Sequence, residues 1–221
     1  MRAIFEQELS AVGEGLLQMS RQVQTAVRDA STALAAADLQ AAEQVIAADD
    51  AIDQLERELD DRCVDLLARQ QPVATDLRII VSGLRMSASI ERMGDLARHV
   101  AQVTRLRYPE LAIPEPARDL FAAMGEAADK AATDVVRLLE THDLELAAAV
   151  ERDDDVLDHL HQQTFNLTLS PEWAGTTAQT VDVTLLARFY ERFGDHAVAI
   201  ARRISYLVTG DLEHLGDYNK A

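Results

Sequence analysis

The sequence has little of several residue types on which other classes of protein depend. Cysteine occurs once, at Cys63, so neither an internal disulfide framework nor a thiolate zinc cluster can form, which favours a reducing compartment. No stretch approaches the roughly 20 apolar residues that span a bilayer. The N-terminus carries Glu6 and Glu8 where a secretory signal would need apolar residues. We therefore expect a cytoplasmic protein that does not insert into a membrane.

Positive charge is also scarce. Lys and Arg number 21 against 38 Asp and Glu, which gives a formal net charge of −17. The sequence contains no concentrated basic segment, and so acidic a surface repels the phosphate backbone of DNA or RNA. We expect no nucleic-acid partner, and instead an affinity for cations or for basic protein surfaces.

Proline is rare outside one segment, and the remaining pattern is helical. Three of the five prolines fall within residues 109–116, which reads as a linker. On either side, apolar residues recur at spacings of three and four, which is typical of long amphipathic helices. Asp38 and Asp143 are candidate N-caps, and Pro72 is expected to end the second helix.

Two short phrases occur twice. "ERMGD" at 91–95 returns as "ERFGD" at 191–195, an offset of 191 − 91 = 100. "DDAID" at 49–53 returns as "DDVLD" at 154–158, an offset of 154 − 49 = 105. Two landmarks in the same order in each half indicate a tandem duplication.

The predicted fold is therefore all-α, with two tandem antiparallel three-helix bundles side by side. The predicted boundaries are a first repeat over residues 1–108, the linker at 109–116, a second repeat over 117–210 and a C-terminal tail over 211–221.

The repeated phrases place acidic residues one helical turn apart. A helical projection puts Glu91 and Asp95 on the side of their helix opposite the apolar stripe, so we expect both to face outward. Like charges at this spacing are mildly destabilising, and a bound hard cation such as magnesium, manganese, calcium or iron would give a reason to keep them. Nearby histidines that could join such a site are His99, His159, His161 and His196.

Each of these features also has a simpler interpretation. Acidic residues commonly occupy the exposed faces of helices without binding anything. Gly94 and Gly194 lie inside helices, where glycine costs about 1 kcal/mol relative to alanine. They indicate either close approach by a neighbouring backbone or a bulky ligand, or a glycine that is merely tolerated at a helix contact.

Catalytic motifs are absent from the sequence. It has no Gly-rich phosphate loop, no HExxH and no G-x-S-x-G, and it lacks the paired E-x-x-H motifs of ferritin-like di-iron proteins. We therefore expect a protein that is not an enzyme. The alternatives are a carboxylate-liganded metalloprotein with hydrolytic activity, and a metal-free structural helical bundle.

The paired phrases, together with "RQQPVATDLR" at 69–78, resemble the PhoU family, regulators that accompany bacterial phosphate uptake. "LEHLGD" near the C-terminus is similar to a short tail in relatives. The resemblance covers nearly the whole chain and implies two three-helix bundles. It also implies that some members bind surface metal clusters. Carried over by position, the implied metal ligands are Asp49, Asp53, Glu91, Asp95, Asp154, Asp158, Glu191 and Asp195.

The resemblance further implies a biological role. It implies a cytoplasmic homodimer that negatively regulates the phosphate-starvation response and catalyses no reaction. Its implied partners are the ATPase subunit of the phosphate ABC transporter and a sensor histidine kinase. The implied cofactors are divalent or iron-type metal ions whose identity the sequence leaves open.

Overall fold

Helices make up nearly all of the structure. The computed structural model describes residues 2–215, with side-chain surroundings over 5–213. Its helices are α1 (Arg2–Ala36), α2 (Leu39–Gln70), α3 (Ala74–Arg107), α4 (Arg118–Thr141), α5 (Leu144–Thr168) and α6 (Thr177–Thr209), with short 3-10 helices at Glu115–Ala117 and Leu212–Leu215. No strand occurs in these residues, so the all-α prediction is confirmed. Residues 216–221 of the predicted tail lie outside the described part.

Side-chain hydrogen bonds and a proline set the ends of the helices. The Asp38 carboxylate accepts a hydrogen bond from the backbone N–H three residues later, and Asp143 caps α5 in the same manner, so both predicted caps are confirmed. Thr176 and Gln179 form a capping box that starts α6. Because Pro72 cannot continue a helix, α2 ends at Gln70.

The six helices form two units that share a broad contact. The first unit packs α1, α2 and α3 together, and the second packs α4, α5 and α6. The units join where α3 contacts α6 and α1 contacts α4, so α2 and α5 lie at the two outer edges. Two antiparallel three-helix bundles side by side are what the duplication predicts.

The central helices α3 and α6 run antiparallel. Near one end of the pair, Arg107 donates a hydrogen bond to the Asp182 carboxylate over 2.5 Å. At the other end, the Arg78 guanidinium lies 5.5 Å from the centre of the Tyr206 ring. The midpoint between these contacts falls at both repeated E-R-x-G-D phrases, so the two acidic regions lie at the same level of the molecule.

The core continues from one unit into the other. Tyr190 of α6 is almost fully buried, and its hydroxyl lies 2.8 Å from the Ser31 hydroxyl of α1. This contact satisfies a buried phenol across the unit boundary. Within the described residues, no helix is both long and apolar enough to cross a membrane.

Candidate functional site

The eight acidic residues of the repeated phrases lie in two groups, one where α2 packs on α3 and the other where α5 packs on α6. The first carboxylate cluster consists of Asp49, Asp53, Glu91 and Asp95, and the second of Asp154, Asp158, Glu191 and Asp195. Within the clusters the carboxylates are close: the charges of Asp53 and Asp95 raise the pKa of Asp49, and those of Asp158, Asp195 and Glu191 raise the pKa of Asp154. The structure therefore brings together the residues that the sequence singles out.

The prediction that Glu91 and Asp95 face outward was wrong, whereas in the second cluster Asp158 and Asp195 are exposed. The Glu91 side chain is 19% exposed, that of Asp95 is 13% exposed and that of Asp49 is only 4% exposed. The exposed member of the phrase is Arg92, at 63%. Helix α3 packs against α1, α2 and α6, so the side opposite its apolar stripe meets a neighbouring helix rather than water.

The repeated glycines make room for a carboxylate from the adjacent helix. A Cβ at Gly94 would lie 3.3 Å from Oδ1 of Asp49, and a Cβ at Gly194 would lie 2.2 Å from Oδ1 of Asp154. The neighbouring atoms belong to side chains of the adjacent helix, so the alternative of close approach by a neighbouring backbone does not apply at either glycine. In both halves the glycine lets an aspartate reach the seam between two helices.

The first carboxylate cluster contains its own cation. Nη1 of Arg98 donates a hydrogen bond to Asp49 over 2.5 Å, and its Nη2 donates to Asp95. Arg92 donates a second hydrogen bond to Asp95 over 3.1 Å. Burial raises the pKa of Asp49 to about 6, although the Arg98 charge opposes this. The charge of this cluster is thus largely offset within the protein.

The second carboxylate cluster has no arginine at the matching place, because the offset of 100 puts Val198 where the first half has Arg98. Oδ1 of Asp154 and Oε2 of Glu191 are buried and have no hydrogen-bond partner among the described residues. Burial, followed by the charges of neighbouring carboxylates, raises the pKa of Asp154 to about 7. The two clusters therefore occupy equivalent positions in the two repeats but differ in charge balance. Arg98 pairs with the buried Asp49 in the first cluster, whereas Arg188 pairs with Oε1 of Glu191 in the second.

Comparison with known proteins decides the family. The PhoU domain model matches residues 16–104 and again 121–204. This chain belongs to the PhoU family. A similar curated protein is "phosphate-specific transport system accessory protein PhoU homolog 2" of Mycobacterium tuberculosis, which is 43% identical over 210 residues, 95% of this chain and 99% of that protein.

Solved PhoU structures have the same fold. The crystal structure of PhoU from Pseudomonas aeruginosa superposes with a TM-score of 0.83 at 31% identity, and covers 94% of this chain and 100% of that one. The regulatory protein PhoU from Streptococcus pneumoniae gives a TM-score of 0.83 at 25% identity, over 94% of this chain and 98% of that chain. The duplicated helical architecture is thus that of the PhoU family.

The two clusters of this PhoU-family chain differ in how well they suit a metal ion. Within the described residues, no three His, Cys, Asp or Glu side chains are already arranged around a single metal position. In the second cluster, however, buried carboxylate oxygens without partners are the donors that hard cations prefer. In the first cluster, the Arg98 guanidinium already supplies a positive charge to Asp49 and Asp95. The second cluster therefore fits a cation better, and the eight-ligand set stays a prediction.

The histidines near the clusters make other contacts. The rings of His99 and His161 each pack against a phenylalanine, with centroids 5.2 Å and 5.0 Å apart. His159 lies 2.9 Å from the side-chain amide of a glutamine one turn away. His196 faces α3, and burial lowers its pKa to about 4. Among the described residues, none of the four forms a ligand set with the carboxylates.

Replacing Asp154 with asparagine should flatten the pH dependence of stability. The pKa of this carboxyl rises from an ordinary 3.8 to about 7 on folding, so its ionisation favours the unfolded chain. The wild-type protein should lose on the order of 1–2 kcal/mol of unfolding free energy from this group as the pH rises through that window. The Asp154→Asn variant has no carboxyl group at this position, so its unfolding free energy should not fall in this way.

Urea unfolding at several pH values between about 4 and 8, in the presence of a chelator, measures this difference. Asp50→Asn is the matched control, because Asp50 is exposed and occupies the position of Asp155 beside the first carboxylate cluster. A pH dependence that is the same in Asp154→Asn as in the wild type would contradict the assignment.

Proposed function

We propose that this protein is a negative regulator of the phosphate-starvation response. It acts in the cytoplasm as a homodimer, links the phosphate ABC transporter to a sensor histidine kinase, and catalyses no reaction. The observation that carries this proposal is the match over 95% of the chain to a curated relative named as a phosphate-specific transport system accessory protein. The duplicated PhoU architecture, preserved over almost the full length, supports it.

A regulator of this kind works by binding one state of its partner more tightly than another. An adaptor that bound both states of the kinase equally would shift nothing, however tight the binding. The long helices suit such a role because a core shared by both units holds their exposed faces in fixed positions. Signals from the transporter reach the kinase in this proposal through contacts made on those faces.

The metal part of the proposal concerns the second carboxylate cluster. Its four carboxylates would hold a hard divalent or iron-type cation, which would supply positive charge beside Asp154, whereas Arg188 already pairs with Oε1 of Glu191. Oδ1 of Asp154 and Oε2 of Glu191 support this, since each is buried without a partner among the described residues. The first carboxylate cluster would bind a cation more weakly, because a cation there competes with Arg98.

Affinity capture tests the adaptor proposal. Tagged protein is recovered from its own bacterium in the presence and absence of a chelator, and the captured proteins are identified by mass spectrometry. We expect enrichment of the transporter ATPase subunit and of one histidine kinase. The double variant Asp154→Asn with Glu191→Gln should behave like chelator-treated wild type, and exposed Asp50→Asn like untreated wild type.

The outcomes separate the two parts of the proposal. Enrichment of neither class of partner would contradict the adaptor role itself. Enrichment that is unchanged by the chelator and by the double variant would leave the adaptor role standing and would contradict the involvement of a metal in partner binding.

A further inference from the structure

A positively charged groove lies between the central helices of this acidic protein. Arg85 and Arg92 line it from α3, and His196 and Arg203 line it from α6. Its volume is about 230 Å³. No carboxylate lines this groove within the described residues, although the whole chain carries a net charge of −17. We call it the inter-repeat groove, because each repeat contributes one wall.

The groove results from the antiparallel packing of α3 and α6. Arg85 and Arg92 are seven residues apart, so they project from the same side of α3 about 10 Å from each other. Arg203 and His196 have the same spacing on α6 and run in the opposite direction. Arginines that are separated by more than a hundred residues in sequence thus meet in one depression, beside the His196 ring.

Small side chains leave the space between these basic groups open. The other lining residues are Ala88, Ser89 and Ala199, none of which is long enough to fill the groove. A volume of about 230 Å³ is below the roughly 300–1,000 Å³ of pockets for drug-sized ligands. The groove therefore has room for a small ion with a few water molecules and is too small to enclose a nucleotide.

Arg85 and Arg92 can both turn towards such an ion, and the guanidinium of Arg203 lies 5.9 Å from the centre of the Tyr206 ring. Arg85 is exposed and makes no ion pair with any described carboxylate. Arg92 pairs with Glu91 and Asp95 but is 63% exposed, and a pair at such a position contributes at most about 1 kcal/mol. Its long side chain can therefore turn towards the groove at little cost. The ring of His196 offers an N–H donor whether it is neutral or charged.

We propose that the inter-repeat groove binds a tetrahedral oxyanion of the phosphate class. Guanidinium groups present several N–H donors in a plane and form short, charge-assisted hydrogen bonds with such anions. Arg85 and Arg203 contact the anion from opposite walls, and Arg92 closes one end. The inference is independent of the proposed regulatory role, because it rests on the groove alone.

Equilibrium dialysis of the full-length protein with radiolabelled inorganic phosphate, at constant ionic strength, tests the proposal. We expect saturable binding to one site per chain. Arg85→Gln should weaken it roughly tenfold, the equivalent of losing one charge-assisted hydrogen bond. Ala199→Met should reduce it at least as much by filling the groove without changing a charge. Arg105→Gln, an exposed arginine of α3 outside the groove, is the control and should bind as the wild type does.

Amide chemical shifts recorded during a parallel titration locate the ion, and unfolding curves show whether each variant is folded. Competition by sulfate with the same residue dependence would support a site for tetrahedral oxyanions in general. The absence of saturable phosphate binding would overturn the proposal. So would an equal loss in Arg105→Gln, or shift changes confined to residues away from α3 and α6, and in either case the regulatory proposal would still stand.

Discussion

Replacing Gly194 with alanine is expected to destabilise the protein by about 2 kcal/mol, although the same change at an open helix position stabilises. The new Cβ would lie 2.2 Å from Oδ1 of Asp154 and 2.8 Å from Cδ1 of Leu157. Both atoms must move within a packed seam, and overpacking of this kind costs roughly 1–3 kcal/mol. So short a contact places the cost near the upper end of that range. The gain of about 1 kcal/mol in helix propensity then leaves a net loss of about 2 kcal/mol.

Two other glycines provide matched controls. Gly94→Ala places its Cβ 3.1 Å from Ile52, a milder contact, so its effect should be close to zero. Gly13 lies in a helix with nothing within 4 Å of the added atom, so Gly13→Ala should stabilise by up to about 1 kcal/mol. Urea unfolding of the three variants gives the order. A Gly194→Ala variant as stable as Gly13→Ala would contradict the role given to the glycine.

A second substitution shows whether the clash involves the carboxylate. Asp154→Ala removes the atom closest to the new Cβ, so it should recover part of the stability lost in Gly194→Ala. The two changes should therefore be strongly non-additive, as expected for residues in direct contact. If the losses of stability in the two single variants simply added up in the double variant, the clash of the new Cβ would be with Leu157 rather than with Asp154.

Much of the fold follows from local chemistry that the sequence displays directly. Apolar spacing marks the helices, and Asp38 and Asp143 act as N-caps because their carboxylates accept backbone N–H groups within three residues. The duplication is visible because the same phrases recur in the same order. Each of these signals depends on residues close together in the chain or on identity between the halves.

The surroundings of the acidic residues do not follow in the same way. A helical projection of α3 finds its most apolar face but not how many neighbours the helix has. With three neighbouring helices, Glu91 and Asp95 are largely buried even though they lie opposite the apolar stripe. The inter-repeat groove is hidden from sequence analysis for a related reason, because Arg85 and Arg203 meet only when α3 packs against α6.

The difference between the two clusters was visible in the sequence but needed the structure to be understood. Alignment of "ERMGDLAR" with "ERFGDHAV" puts Arg98 opposite Val198. Only the fold shows that the Arg98 guanidinium reaches Asp49 on the neighbouring helix, so that this single difference changes the charge next to the buried aspartate.

Replacing Arg98 with methionine is expected to cost about 3 kcal/mol of unfolding free energy at neutral pH. The change keeps a long side chain but leaves Asp49, 4% exposed, without its cation. Breaking a buried ion pair from one side typically costs roughly 3–5 kcal/mol, and the 27% exposure of Arg98 favours the lower end. The loss should be smaller near pH 5, because burial already raises the pKa of Asp49 to about 6 and protonation removes the unpaired charge.

The reciprocal change, Val198→Arg, tests whether a cation is what the second carboxylate cluster lacks. With a chelator present it should reduce the loss of stability as the pH rises, because a guanidinium would lower the pKa of Asp154; the comparison is of pH dependence, since Val198 is only 7% exposed and its replacement also changes the packing. Manganese should stabilise the wild type, by about 2.7 kcal/mol at a hundred times its dissociation constant, and should have little effect on Val198→Arg. In Arg98→Met, manganese should restore part of the lost stability, since the first cluster then resembles the second. Equal responses to manganese in all three proteins would show that residues 98 and 198 do not control cation binding.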